Sequence, residues 1–353
     1  MHYSSWGRTC EAIQSASPVY WRHEVESQIL NQEQLSLLPY GCGRSYGDVC
    51  LNHQGRLLLT QPLHRFIRFD AATGILECES GVTLAMILDL VVSQGWFLPV
   101  TPGTQYVTVG GAVANDVHGK NHHQAGTFGC HVLELQLLRS DGKLLRCSPQ
   151  ENAQVYRATI GGLGLTGLIV TVKFQLLPIH SPYMDVEIFK FSSLDEYLNV
   201  YADYDQKYPY TVAWVDAITP GKYLGRGHLI CGKHTFADKM KYVRRKSSFQ
   251  LTIPFDLPSF ILNRRTVGLF NQLYYHRFRL KVTQSVAHYR PFFYPLDCLR
   301  HWNRMYGRQG FFQFQCTVPP YASSQLKVIL NLLCDSGIGS FLAVLKTFGT
   351  LKS

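Results

Sequence analysis

Thr101-Pro-Gly-Thr-Gln-Tyr-Val-Thr-Val-Gly-Gly-Ala-Val-Ala-Asn-Asp-Val-His-Gly-Lys-Asn-His-His123 is the stretch whose reading decides the fold. Gly103, Gly110 and Gly111 carry no Cβ, so the backbone there can come close to a flat ring or a pyrophosphate. Thr108 is placed to cap a short helix running to about Asn115, with its first amides facing an anion. A turn at Gly119 then presents His118, Lys120 and Asn121. Glycine turn, capped helix and polar cluster in one segment point to a large anionic cofactor.

Two further loops of the same kind support that reading. Tyr40-Gly-Cys-Gly-Arg-Ser-Tyr-Gly-Asp48 follows a strand-like apolar run, Leu35 to Leu38, and its small residues can form a nest of amides for phosphate oxygens, with Arg44 adding charge. Ile160-Gly-Gly-Leu-Gly-Leu-Thr-Gly167 contains G-x-G-x-x-G at Gly162, Gly164 and Gly167. A dinucleotide fingerprint follows a strand and opens a helix. This one follows a predicted helix, about Asn152 to Ile160, and opens a predicted strand, Leu168 to Leu177, so the Rossmann reading is rejected.

Taken in order, the three loops resemble the flavin-binding domain of the vanillyl-alcohol oxidase and p-cresol methylhydroxylase (PCMH) superfamily, and within it the decaprenylphosphoryl-β-D-ribose 2′-oxidase family. Phe292-Phe-Tyr-Pro-Leu-Asp297, Trp302-Asn-Arg304, Tyr306-Gly307, Gly310-Phe311 and Gln313-Phe-Gln315 extend the resemblance over most of the chain. It implies FAD as cofactor. The loop Gly41, Cys42, Gly43, Arg44, Ser45, Tyr46, Gly47 would hold the pyrophosphate. Pro102, Gly103 and Thr104 with Thr108, Val109, Gly110 and Gly111 would line the cofactor, and His118, Gly119 and Asn121 would lie near the isoalloxazine. Asn115, Gly164, Gly167, Ile169 and Val170 complete the cofactor set. Members that bind FAD covalently read Gly-His-Ser where this chain has Arg44-Ser45, so a non-covalent cofactor is expected.

By the same resemblance the substrate pocket comprises Tyr46, His118, Lys120, Trp214, Gln313, Gln315 and Lys346, with His118 and Lys346 as the catalytic pair. Alternation along Phe311-Phe-Gln-Phe-Gln-Cys316 would put both glutamines on one face of a strand and Phe312 and Phe314 on the other. The implied reaction is oxidation of a secondary alcohol of a sugar to a ketone, on a lipid-linked or free sugar. The alternatives are an aldonolactone or alditol oxidase using oxygen, and an FAD-binding chain without turnover. A keto-reductase partner is implied by the family. Family members continue past Phe341 to Gly349 with a further pocket lysine, thought to be the base, so the substrate domain is expected to be C-terminally incomplete.

The sequence is 353 residues long with 46% hydrophobic residues, enough for about two domains. The expected fold class is α+β, with an FAD-binding domain over 1–178 and a substrate domain with an antiparallel sheet over 179–353. Hairpins are predicted for Phe66 to Asp70 with Ile75 to Ser80, and for Val132 to Leu138 with Lys143 to Cys147. Thr83 is predicted to cap a helix ending at Gly95. The ten cysteines form no C-x-x-C pair, and most are expected reduced and buried. No metal site is expected, because Gly119 interrupts the His118 and His122 spacing and no Glu follows His118.

The net charge of +10 gathers between Lys239 and Lys281, where basic residues interleave with Phe249, Leu251, Phe255, Phe260, Leu269 and others. That pattern suits an anionic membrane surface rather than nucleic acid. No signal peptide and no membrane-spanning run is read in the sequence. The expected location is cytoplasmic, peripheral at the inner membrane face.

Overall fold

The computed structural model describes residues 3–30, 35–236 and 251–351. The architecture is α+β, carried by antiparallel five-stranded sheets and a small parallel one. In the parallel sheet Arg56–Leu59 lies between Ser15–Pro18 and Leu37–Tyr40, and the last of these delivers the chain into the first glycine loop. The strand expected from Leu35 begins two residues later, at Leu37, and runs to Tyr40.

The first five-stranded sheet has the order Phe66–Asp70, Ile75–Glu79, Leu168–Gln175, Val132–Leu138, Leu144–Cys147. Residues 168–172 are all buried, as a central strand covered on both faces requires. The expected hairpins form, and the turns sit at Gly74 and Gly142, both in the left-handed region at φ +71° and +80°. Thr83 caps Leu84–Val91, and its hydroxyl accepts from the Met86 amide at 3.3 Å. Gly95, at φ +82°, ends the 3₁₀ turn that follows.

The second five-stranded sheet has the order Val282–His288, Tyr183–Phe191, Gly227–His234, Tyr210–Val215, Ala343–Leu345. Its two faces have different work. Phe189, Phe191, Ala213, Val215, Leu229 and Cys231 pack beneath the Leu194–Lys207 and Gln325–Asp335 helices. The alternate residues Met184, Val186, Ile188 and Tyr210 join Phe97, Phe292 and Phe293 in the large core shared with the first sheet. On the same side of this strand Val212 and Trp214 are also buried, Trp214 against Tyr274 and His228.

A buried ion pair fixes the end of that strand. Asp216, fully buried, accepts from Arg226 Nε at 3.0 Å, Thr219 Oγ1 at 2.6 Å and Asn271 Nδ2 at 3.0 Å. Asn271 also donates to the Ser340 carbonyl at 3.3 Å, which anchors the segment leading to Lys346. An Asp216→Asn variant leaves Arg226 buried without its counter-charge. It should lose about 3–5 kcal/mol of stability, read as a lower urea midpoint with the same slope.

Two expectations need correction. Residues 311–318 do not form a strand, and Phe312 and Phe314 are exposed. Alternation alone cannot make a strand without a neighbour for its amides. The Phe311 amide donates instead to the Gly7 carbonyl at 2.8 Å, and the open side of Tyr210–Val215 is taken by Ala343–Leu345. The cysteines are all free, but only Cys78, Cys147, Cys231 and Cys334 are buried, while Cys10, Cys298 and Cys316 are exposed. Among the described residues no helix is long and apolar enough to cross a membrane.

Candidate active site

Three stretches of chain meet with almost no side chain between them. A Cβ on Gly41 would lie 2.5 Å from Thr108 Oγ1, and one on Gly110 would lie 2.8 Å from Ser80 Cβ. Thr108 caps Val109–Ala114 as expected, its hydroxyl accepting from the Gly111 amide at 3.1 Å. The Gly110 amide donates to the Ser80 carbonyl at 2.8 Å, and the Ser80 amide to the Val170 carbonyl at 3.0 Å, which places the Ile169–Val170 part of its strand beside this junction.

The junction is lined with unused polar groups. Amides 42–47 find no acceptor among the described residues, and Ser80 Oγ is buried without a partner. The Arg44 guanidinium stacks 3.9 Å over the Trp6 ring, and burial lowers its pKa. Asp297 accepts from the Gln105 amide at 3.0 Å, and burial raises its carboxyl pKa against the pull of that bond and of Arg44. Gly43, at φ +59°, lets the loop pass under the Tyr40 hydroxyl, which donates to the Ser4 carbonyl at 2.8 Å. A glycine-walled junction with amides that find no acceptor among the described residues and a half-buried cation, Arg44, fits a diphosphate-bearing cofactor.

The remaining cofactor candidates fall around it in different ways. Gly103 has open space where a side chain would be, and Thr104 Oγ1 accepts from the Tyr106 amide at 3.2 Å beside Pro102. Asn115 is exposed and donates to the Gly111 carbonyl at 2.9 Å. Buried Asn121 donates to the Pro99 carbonyl at 2.8 Å, and Gly119 passes close to the Thr101 carbonyl. In the third loop, the Gly161 and Leu163 amides donate to Val113 and Ala114 carbonyls at 3.0 and 2.8 Å. Gly164 and Gly167 thus belong to a loop that closes the C-terminal end of Val109–Ala114, with Gly167 tight against the Leu138 carbonyl.

Beyond this junction lies a second cluster. The Lys120 carbonyl accepts from the Thr211 amide at 2.8 Å, tying it to the Tyr210–Val215 strand. Lys120 Nζ donates to the Phe292 carbonyl and sits 4.4 Å over that ring. Burial, and then the charge of Lys346, bring its pKa down to about 7. Burial, Lys346 and His122 hold His118 near pKa 4, so its imidazole is neutral at pH 7, and its Nδ1 has no partner. Lys346 is half-buried, its pKa lowered by burial.

The segment carrying Lys346 is pinned over the histidines. Phe348 stacks on His122 at 4.0 Å and meets His118 edge-on at 4.9 Å, while the Gly349 amide donates to His122 Nδ1 at 3.1 Å. Register pairs Trp214 with Val344, so alternation carries Lys346 to the Trp214 side of the sheet. The Trp214 indole donates to the Phe341 carbonyl at 2.9 Å and stacks on His228. Tyr46 joins through a chain of rings, to Phe311 at 5.0 Å, from there to Tyr306 at 4.6 Å, and on to Phe341 at 5.8 Å.

His118, Lys120, Trp214 and Lys346 are therefore drawn together. Gln313 and Gln315 are not on a strand and are exposed, with Gln313 Nε2 donating to Gln315 Oε1 at 3.4 Å. Sequence reasoning gave no role to Ser80, Asp297, Phe292 or Phe348. Asp297 and Phe292 stood in a quoted motif, Ser80 at the end of a predicted hairpin strand, and Phe348 in the Phe341 to Gly349 segment, two residues after Lys346.

A cofactor junction of this kind beside a desolvated amine and imidazole defines an FAD-binding oxidoreductase, and the comparisons agree. A family model described as an FAD binding domain matches residues 26–148. Decaprenylphosphoryl-beta-D-ribose oxidase of Mycolicibacterium smegmatis is 33% identical over 98% of this chain and 77% of its own length. A Streptomyces coelicolor protein described only as an uncharacterized protein in the mprA 5′ region is 31% identical over 76% of this chain and 75% of its own. L-gulonolactone oxidase of Mus musculus is 28% identical over 42% of this chain and 34% of its own. The chain belongs to the decaprenylphosphoryl-β-D-ribose oxidase family of PCMH-type, FAD-dependent oxidoreductases.

Proposed function

We propose that the chain oxidises a secondary alcohol of a sugar, the 2′-hydroxyl of a polyprenyl-phosphate-linked pentose, to a ketone. The observation that carries this reading is the meeting of a neutral imidazole, His118, whose Nδ1 has no partner, with two lysines held below their ordinary range. FAD would be held, without a covalent bond, by the Gly41 to Gly47 loop and the Thr108 to Gly111 turn, and would supply the acceptor for the carbon-bound hydrogen and its electron pair. Lys120, partly neutral at pH 7, takes the hydroxyl proton. His118 orients that hydroxyl through Nδ1, Lys346 holds a neighbouring hydroxyl or phosphate oxygen, and Trp214 walls the sugar. The ketone product would pass to a keto-reductase, which would complete an epimerisation.

The similarity to L-gulonolactone oxidase favours a second reading, oxidation of an aldonolactone. Anaerobic mixing separates them. The loaded protein should lose its oxidised-flavin absorbance with a short-chain polyprenylphosphoryl pentose, and slowly or not at all with free pentose or lactone. Bleaching by the lactone alone would replace the first reading with the second.

A further inference from the structure

The helix Arg264–His276 carries large apolar side chains on the side it shows to solvent as well as on the side it buries. Val267, Asn271 and Tyr275 face inward. Leu269 and Leu273, one turn apart and roughly opposite them, are 62% and 65% exposed. Phe260 just before the helix is 75% exposed and Leu280 just after it 68%. Side chains of this size are seldom left in water in a row.

Cations accompany them. Arg264, Arg265 and Arg279 make no ion pair among the described residues, and Asp256, the sole acid of residues 251–281, is held by Arg8 in a bidentate pair at 2.6 and 2.9 Å. Lys281 is paired with Glu196 at 2.9 Å. An apolar ridge flanked by guanidinium groups with no ion pair among the described residues matches a surface that is apolar beneath and anionic above, and a folded protein partner would need acids placed to meet each arginine. The basic residues expected to contribute at 239–246 lie outside the described residues.

We propose that the solvent face of Arg264–His276, with Phe260 and Leu280 at its ends, docks the protein on an anionic lipid bilayer. This rests on the reading of a lipid-linked substrate, which would be met at that surface, but it is tested without substrate. The leucines enter the interface while the arginines meet the head groups, each contributing roughly a fivefold gain in partitioning. Added salt weakens the second contribution and leaves the first.

The test uses the full FAD-loaded chain and sedimentation with vesicles of phosphatidylcholine alone or mixed with phosphatidylglycerol. Binding should need the anionic lipid and fall as salt rises. Leu269→Asp with Leu273→Asp should reduce it at least about tenfold, with unfolding midpoint and flavin content unchanged. Should that variant fold poorly, Arg264→Gln with Arg265→Gln serves, and should lower binding about twentyfold and flatten its salt dependence. Absence of wild-type binding, equal binding to neutral vesicles, or binding untouched by the variants would overturn the proposal. So would a leucine-dependent dimer on a sizing column without vesicle binding, since the face would then belong to a second copy.

Discussion

A Lys120→Met variant is expected to retain FAD and fold normally while kcat/KM for substrate oxidation falls by about 10²–10⁴, the usual loss when a positioned base is removed. Methionine keeps the contact with Phe292 and removes the proton acceptor. The pH profile carries the sharper information. A lysine must be neutral to accept a proton, so in the wild type kcat/KM should rise through about pH 7 and level off above it. In Lys120→Met that limb should disappear.

The sign of a second change follows from the same electrostatics. Lys346 is the charge that disfavours the Lys120 ammonium, after burial. Lys346→Met should therefore raise the Lys120 pKa and move the rising limb to higher pH, whatever it does to KM. A profile that stays in place would remove Lys120 from the proton transfer. Replacing His118 by alanine should slow turnover without moving the limb upward.

The second large effect concerns the cofactor junction. Alanine in place of a helical glycine ordinarily stabilises by about 1 kcal/mol. At Gly110 the added methyl would meet Ser80 Cβ at 2.8 Å and the Ser80 carbonyl oxygen at 3.2 Å, and Ser80 is itself held by its amide bond to the Val170 carbonyl. Gly110→Ala should instead cost about 1–3 kcal/mol and yield protein depleted in FAD. Gly47→Ala, with nothing within 4 Å, should leave the unfolding midpoint nearly unchanged. Equal flavin content and stability in Gly110→Ala and wild type would contradict this account of the junction.

What could be read from the sequence was what the chain decides locally. Thr83 and Thr108 announce their helices because a hydroxyl at the N-cap bonds an amide three residues on. Thr73-Gly74 and Asp141-Gly142 announce hairpins because the turns need left-handed backbone. The third loop could be separated from a dinucleotide fingerprint because the helix before it and the strand after it are both locally encoded.

The misses have the opposite character. Residues 311–318 alternate as a strand would, yet whether they become one depends on a neighbour, and the Phe311 amide goes to Gly7, some 300 positions earlier in the chain. The low pKa of Lys120 arises from burial and from the charge of Lys346, and both depend on elements of the fold far from it in the chain. Asp297 stood in a motif, but its bond to the Gln105 amide joins segments nothing local connects. Cysteine burial was overestimated for the same reason, since Cys298 and Cys316 sit in stretches whose cover is tertiary.

The central claim is that the hydrogen leaving the substrate comes from the carbon bearing the 2′-hydroxyl. We would mix the FAD-loaded protein anaerobically with polyprenylphosphoryl pentose carrying deuterium at that carbon and follow the loss of oxidised-flavin absorbance. The account predicts bleaching several-fold slower than with the unlabelled substrate, and no slowing when the deuterium is at a neighbouring carbon. Bleaching equally fast with either label, or slowed only by label at another position, would contradict it.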